Sequence, residues 1–458
     1  MSGHDGSTIT SPATSHQVNG PAPSLPAYGI VLLVFVVMAA RLFRLTYRYA
    51  VNIFFWDQWG FSNAALFQKH SLWQMFRWQY GPHRLGLGPL VSTLIEPHFR
   101  WNSRSESFIA CGIIVLAAAC ALCLKKRLFG EIRAWDVAIP ILYLSASQYE
   151  SIFITSNLAH GPLPLLLLTL YCLAWTMSDV VNKYAIVLAL NFVIIYTGFG
   201  VFLGFLTPLL LIADYRVNCK PKHGLYFALA LLIAGASLAS FFYGYTLQPA
   251  VNCFSLKLQQ PVLYLWYASL MFANFWIKGT GIFPRLIGCA VMVGLLWTLA
   301  SAGANLFKSA TRAWVRCAVP ATLAGYSLLF SLNTAIGRLC LGLGSAQSSR
   351  YMAYLALGLF GVYLHLLSIP VPNVRRAALG VSLVALLATV PIRAQDRGLM
   401  RFFSELKRSW RNCYLAGGSI PACDAVAGYK IDQEPEHILQ QKLDYLKEMK
   451  LNMYADTK

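Results

Sequence analysis

Long apolar blocks alternate along this chain with short polar segments rich in Lys and Arg, and the blocks run to about 15–24 residues. An α-helix needs about 20 apolar residues to cross the hydrocarbon layer of a bilayer. The pattern predicts spans at 28–47, 107–124, 135–150, 158–178, 224–245, 281–303, 317–334, 351–370 and 377–391. The apolar stretch 184–214 is broken by Gly198 and Gly200 and is expected to hold two short spans, 184–197 and 199–214. Residues 263–277 are short and aromatic and end at Lys278-Gly279, which fits an interfacial or re-entrant helix better than a crossing. The expected fold is all-α: a polytopic helical membrane protein of about eleven transmembrane helices. Interfacial helices are expected in a long first outer loop, 49–106. Residues 1–26, rich in Ser, Thr, Gly and Pro, are expected to be a disordered tail. Residues 392–458 are expected to be a polar C-terminal tail with an amphipathic helix at 435–451.

Composition sharpens this picture. The chain is 57% hydrophobic, with mean hydropathy +0.54 and 12% charged residues. A soluble domain carries about twice that charge. No strand alternation repeats at barrel spacing, which argues against an outer-membrane barrel. The net charge of +19 does not point to nucleic acid, because the basic residues sit in loops between apolar spans and no stacking module accompanies them.

The basic clusters at 125–127, 216–222, 308–316 and 375–376 all fall on the cytoplasmic side if the N-terminus starts inside and eleven spans follow. Arg41, Arg44 and Arg48 dissent at the far end of the first span. The four clusters outweigh them. Loop 49–106 and the C-terminal tail are then expected outside a cytoplasmic membrane.

Most of the eleven cysteines lie in apolar segments and read as small buried residues, Cys120-x-x-Cys123 included. Cys413 and Cys423 lie in the polar tail and can form a disulfide if that tail is extracytoplasmic. Gly198-x-Gly200-x-x-x-Gly204 misses the spacing of a dinucleotide fingerprint by one and sits between membrane helices, and Gly342-x-Gly344 lacks the strand and helix that fingerprint needs.

Acids are scarce: nine of the eighteen Asp and Glu lie in residues 1–391. Asp57 follows the first span, flanked by Trp56 and Trp59. It reads either as a cap for the next helix or as a general base in a partly apolar site. In the same loop, Gly81-Pro82 marks a turn that presents His83 and Arg84, and an arginine there can grip a phosphate. Glu150 closes the third span, and Asn157 and His160 open the fourth. They read as water-boundary residues or as an acid–imidazole pair. Later, Arg338, Arg350 and Tyr351 bracket a Gly- and Ser-rich loop. That loop is either a tight turn with snorkelling arginines or a phosphate clamp.

Three of these motifs, Asp57-Gln58-Trp59, Pro82-His83-Arg84 and Gly337-Arg338…Ser349-Arg350-Tyr351, together with the span pattern over 28–391, resemble the GT-C class of polyprenyl-phosphate-dependent glycosyltransferases. The likeness is to uncharacterised bacterial members. It implies inverting transfer of a sugar from a polyprenyl-phosphate donor on the outer face of the cytoplasmic membrane. Asp57 and Glu150 would be the catalytic acids, with Asp57 as the base. His83, Arg84, Asn157, His160, Arg338, Arg350 and Tyr351 would bind substrate. The partners implied are the donor, the lipid bilayer and an acceptor glycan, lipid or protein, with no nucleic acid. Two positions depart from the class: Gln58 stands where many members carry a second acid, and Pro82 stands where an acid precedes His-Arg. Both weaken the case for a divalent metal, which the likeness still allows, and no other cofactor is expected. The alternatives are a transporter or flippase of a polyprenyl-linked sugar, or a non-catalytic assembly subunit on the same scaffold. The scarcity of charge inside the spans disfavours the transporter.

Overall fold

The computed structural model describes residues 25–68, 70–218, 223–248, 251, 253–257, 259–306 and 311–455. The expected N-terminal tail lies almost wholly outside the described residues, as do parts of the basic clusters at 216–222 and 308–316. Of the described residues, 77% are helical. The helices, in order, are α1 (Leu25–Tyr49), α2 (Asp57–Ser62), α3 (Leu72–Phe76), α4 (Leu87–Ile95), α5 (Ser103–Phe129) and α6 (Ala138–Tyr143). They continue with α7 (Pro162–Ala174), α8 (Val180–Ile195), α9 (Val201–Asn218), α10 (Gly224–Phe242), α11 (Pro261–Ala273) and α12 (Ile282–Asn305). The last six are α13 (Thr311–Arg338), α14 (Met352–Leu367), α15 (Pro372–Leu387), α16 (Ala394–Leu415), α17 (Ile420–Ala427) and α18 (Glu436–Glu448).

Among the described residues, seven helices are long and apolar enough to cross a membrane: Pro26–Tyr49, Ser103–Phe129, Val201–Asn218, Gly224–Phe242, Ile282–Asn305, Ala313–Leu341 and Ser349–Leu367. The chain is therefore a multi-pass membrane protein. Leu32, Leu33, Val36 and Val37 of α1 are more than half exposed, as are Val381 and Val384 of α15. Such outward apolar faces suit lipid rather than water. The inward faces share one large core, in which α13 and α14 pack closely: a Cβ on Gly358 would stand 2.6 Å from Ser327.

Local chemistry explains most boundaries. Asp179 caps α8 by accepting from Asn182 N at 2.8 Å, and Asn102 caps α5 by accepting from Arg104 N at 2.9 Å. The break expected near Gly198 is present: α8 stops at Ile195, α9 starts at Val201, and Gly198 has φ +82. The expected span at 135–150 is not one helix. It comprises a 3-10 turn, α6, a second 3-10 turn at Ala146–Gln148 and the start of a π-helix at Glu150–Ile154. Ser145 ends the regular helix by accepting from Ser147 N, an interaction that competes with helical hydrogen bonding. At its other end, Asp136 is buried and bonded to Lys125 at 2.6 Å and to the Tyr363 hydroxyl.

The expected polar tail is three helices docked on the rest of the protein. Met400, Leu406, Trp410, Ile431, Leu439, Leu443 and Leu446 join the main core. The expected amphipathic helix is α18. Asn452 N donates to Arg100 O at 2.8 Å, and Asn52 Nδ2 donates to Asn452 O at 2.8 Å. The tail therefore lies on the same face as residues 49–106.

Candidate functional site

Asp57 is the first residue of α2, and its carboxylate does not cap that helix. Capping would turn the side chain back on its own helix, whereas Asp57 Oδ2 lies 3.3 Å from Arg350 Nη1. The residue before it, Trp56, has φ 51 and ψ −123, a region that costs a non-glycine residue about 1–3 kcal/mol. The tail stabilises this geometry. Trp56 N donates to Ile431 O at 2.8 Å, and the Trp56 ring packs on Phe403 and Tyr429. Gln58 turns away from Asp57 into the interior, where Oε1 accepts from Phe55 N at 3.2 Å and Nε2 donates to Glu106 at 3.1 Å. The position where the sequence resemblance leads one to look for a second acid thus holds a core amide.

Arg350 lies between two acids. Its Nη2 is 2.6 Å from Glu150 Oε1, its Nε donates to the same oxygen at 2.9 Å, and its Nη1 reaches Asp57. Ser348 Oγ donates to Glu150 Oε2 at 2.7 Å, and Glu150 N donates to Ser349 Oγ at 3.1 Å. The Ser348-Ser349-Arg350 segment therefore wraps Glu150. Of the two readings open for Glu150, the acid–imidazole pair with His160 does not form: the guanidinium places two N–H groups on Glu150 Oε1 and a third toward Asp57, which an imidazole cannot do.

Residues 79–84 form a two-stranded hairpin, β1 (Gln79–Tyr80) and β2 (His83–Arg84), turned at Gly81-Pro82. Neighbouring residues in a strand point to opposite faces. His83 lines the cavity. Arg84 turns away, and its guanidinium donates to Arg77 O at 2.6 Å and Tyr243 O at 2.7 Å. Arg84 is thus a buried tie between the loop and α10 and does not reach the cavity, contrary to the substrate contact expected of it.

One cavity of about 290 Å³ collects Asp57, His83, Asn157, His160, Arg338, Arg350 and Tyr351, seven of the nine expected site residues. Asp57 has 39% of its side chain exposed there. Glu150 does not line it but faces a second chamber of about 350 Å³ on the other side of Arg350, walled by Trp56, Tyr149, Lys278 and Phe403. Arg338 ends α13 and lines both chambers, and no carboxylate among the described residues lies within ion-pair distance of it.

The His83 and His160 rings meet edge to face at 5.8 Å, and both pack on Phe199. Enclosure by protein, then the nearby Arg338, holds His83 well below the usual imidazole range. Enclosure likewise lowers His160, helped by His83, Arg350 and Arg338. Both rings are neutral near pH 7 and serve as hydrogen-bonding groups rather than cations. Enclosure and the Asp57 charge push the Tyr80 hydroxyl up to about 12, so it remains a donor.

A third space, an apolar groove of about 340 Å³, shares Pro82, His83, Phe199 and Arg338 with the Asp57 cavity. Its walls include Phe202, Phe205, Phe241, Phe242 and Phe254. A disulfide joins Cys253 to Cys340, beside that groove and two residues from Arg338, and Cys413 is bonded to Cys423 in the tail.

Sequence reasoning missed Tyr80, Phe61, Thr155 and Phe199 as lining residues. Aromatic and hydroxyl residues are too common in this chain to stand out. The Cys253–Cys340 pairing left no spacing signal, because its partners are 87 residues apart.

Among the described residues, no three His, Cys, Asp or Glu gather closely enough to hold a metal ion. The surroundings of Asp57 do not fit a divalent cation, since its neighbouring acid, Glu150, is separated from it by the Arg350 guanidinium. No protein-family model matches the chain, and no curated protein matches it.

Proposed function

We propose that this protein is a membrane glycosyltransferase of the GT-C kind, moving a sugar from a polyprenyl-phosphate donor to an acceptor with inversion. The observation that carries this reading is the junction at Arg338. There a polar cavity holding a partly exposed carboxylate adjoins an aromatic groove, and Arg338, which has no carboxylate partner among the described residues, lines both. An isoprenoid chain suits the groove, a phosphate suits Arg338, and the sugar then reaches toward Asp57.

In the reaction, the acceptor hydroxyl gives its proton to the Asp57 carboxylate as its oxygen bonds to the anomeric carbon. The bond from that carbon to the phosphate oxygen breaks, and its electron pair leaves with the polyprenyl phosphate. The departing group gains negative charge, which Arg338 and Arg350 stabilise. The neutral His83 and His160 donate hydrogen bonds to sugar or phosphate oxygens. Glu150 acts through Arg350 as a positioning residue.

The finer topology belongs to the same proposal. Eleven crossings bring the ends of α1, α8, α10, α13 and α15 to the site face, with α11 entering and leaving on that face. Gly198 N bonds Arg84 O, Arg84 bonds Tyr243 O, and Lys278 pairs with Asp396, which supports this reading. Both disulfides lie on the site face and Lys125, Arg133 and Arg375 lie away from it, which supports an extracytoplasmic site on the cytoplasmic membrane.

The test is release of free polyprenyl phosphate from a panel of labelled polyprenyl-phosphate sugars by the purified protein in nanodiscs, alongside glycolipid mass spectrometry of a deletion strain. Release by the native protein, absent in Asp57→Asn, is expected. No release from any donor, together with an unchanged glycolipid profile, would overturn the reading.

A further inference from the structure

A cavity of about 480 Å³ on the opposite face is separate from the chemistry above. It lies between the end of α5, the start of α13, the end of α14 and the start of α15. Arg316 in its wall and Arg338 at the site are 22 residues apart on α13, roughly 33 Å at helical rise. The two spaces are therefore separated by about the thickness of a bilayer core.

Five basic residues line this cavity: Lys125, Arg133, Arg316, Arg375 and Arg376. Two are matched by acids. Lys125 pairs with Asp136 at 2.6 Å, and Arg133 Nε donates to Glu131 at 2.6 Å. Arg316, Arg375 and Arg376 have no carboxylate within ion-pair distance among the described residues. Two of these are aimed by single hydrogen bonds: Arg316 Nε donates to Leu128 O at 2.7 Å, and Arg375 Nη1 donates to Ile369 O at 3.3 Å. Each keeps further N–H donors without a partner among the described residues. Phe129, Trp135 and Leu379 form apolar walls behind them.

Topology alone calls for basic residues in loops on this face, but it does not call for three uncompensated arginines converging on one cavity with apolar walls. Like charges so placed repel unless an anion joins them. Guanidinium forks match phosphate oxygens, and basic pockets between membrane helices are suited to anionic lipid head groups. We propose that this cavity binds the phosphate head group of an anionic membrane lipid, with Arg316, Arg375 and Arg376 as its ligands.

The test is native mass spectrometry and thermal unfolding of the full-length protein, delipidated in detergent and then titrated with phosphatidylglycerol, cardiolipin or phosphatidylcholine. The anionic lipids are expected to be retained and to raise Tm, and phosphatidylcholine to do neither. Converting Arg316, Arg375 and Arg376 to Gln should weaken anionic-lipid retention roughly tenfold or more. The same charge change on the site face (Arg401, Lys430 and Lys447 to Gln) should leave retention unchanged. Equal retention of all three lipids by the native protein overturns the proposal even if the cavity variant fails to fold. So does equal loss in both triple variants. A separate arm uses inorganic phosphate alone, and stabilisation by phosphate matching that by lipid would assign the cavity to a soluble anion and overturn the lipid assignment.

Discussion

Asp57 Oδ2 and Arg350 Nη1 meet at 3.3 Å although 293 residues separate them in the chain. This contact joins the turn after the first helix to the loop before α14, and the other half of the guanidinium is held by Glu150. A carboxylate that faces a cavity and a cation that is already positioned are thus combined in one unit.

Replacing Asp57 by Asn keeps the shape and removes the proton acceptor. Transfer from a polyprenyl-phosphate sugar should fall by about 10²–10⁴-fold, the usual worth of a general base. Membrane insertion and Tm should stay near native. Retained turnover in a product-release assay would remove Asp57 from the base role.

Arg338 and Arg84 should behave oppositely. Arg338→Ala removes a cavity cation without a carboxylate partner, so donor KM should rise at least tenfold with little change in Tm. Arg84→Ala leaves the carbonyls of Arg77 and Tyr243 without this donor and should destabilise by about 1–3 kcal/mol. Thermal unfolding beside donor titration separates the two.

Glu150→Gln keeps one acceptor for Arg350 and Ser348 but removes the charge. Its expected signature is a higher donor KM with a smaller change in kcat, because Arg350 is then drawn harder toward Asp57. A kcat loss as large as that of Asp57→Asn would instead make Glu150 a direct participant.

His83 is held neutral in the folded state, lowered from its ordinary 6.5 to about 3 by burial and then by Arg338. A lowered folded-state pKa favours folding fully above 6.5, and that contribution is lost as pH falls toward about 3. Stability against pH should therefore slope downward below pH 6.5, and His83→Gln should flatten that slope. An unchanged slope in denaturant titrations would show that His83 does not titrate there.

Both disulfides should be present in protein taken from membranes. In protein denatured without reductant, Cys253, Cys340, Cys413 and Cys423 should resist alkylation until reduced, while Cys111 and Cys123, which form no disulfide, react. Mass spectrometry of alkylated peptides reads this directly. Free Cys253 and Cys413 would place the site face in a reducing compartment.

The sequence by itself determined that this is a helical membrane protein, where many of its helices lie, that Gly81-Pro82 is a turn, and which few acids and arginines were available for chemistry. Those features follow from local quantities: the hydrophobicity of a segment against the thickness of a bilayer, and the backbone freedom of single residues. Only the tertiary structure decided that Arg350 holds Asp57 and Glu150 together, that Gln58 faces Glu106, that Arg84 turns out of the cavity while His83 turns in, and that Ile431 braces the Trp56 turn. Each of these depends on which side chains face one another across hundreds of residues or on which face of a short strand is buried. Segment hydrophobicity carries no record of that, because several arrangements of the same helices would bury similar apolar area and place different polar groups side by side.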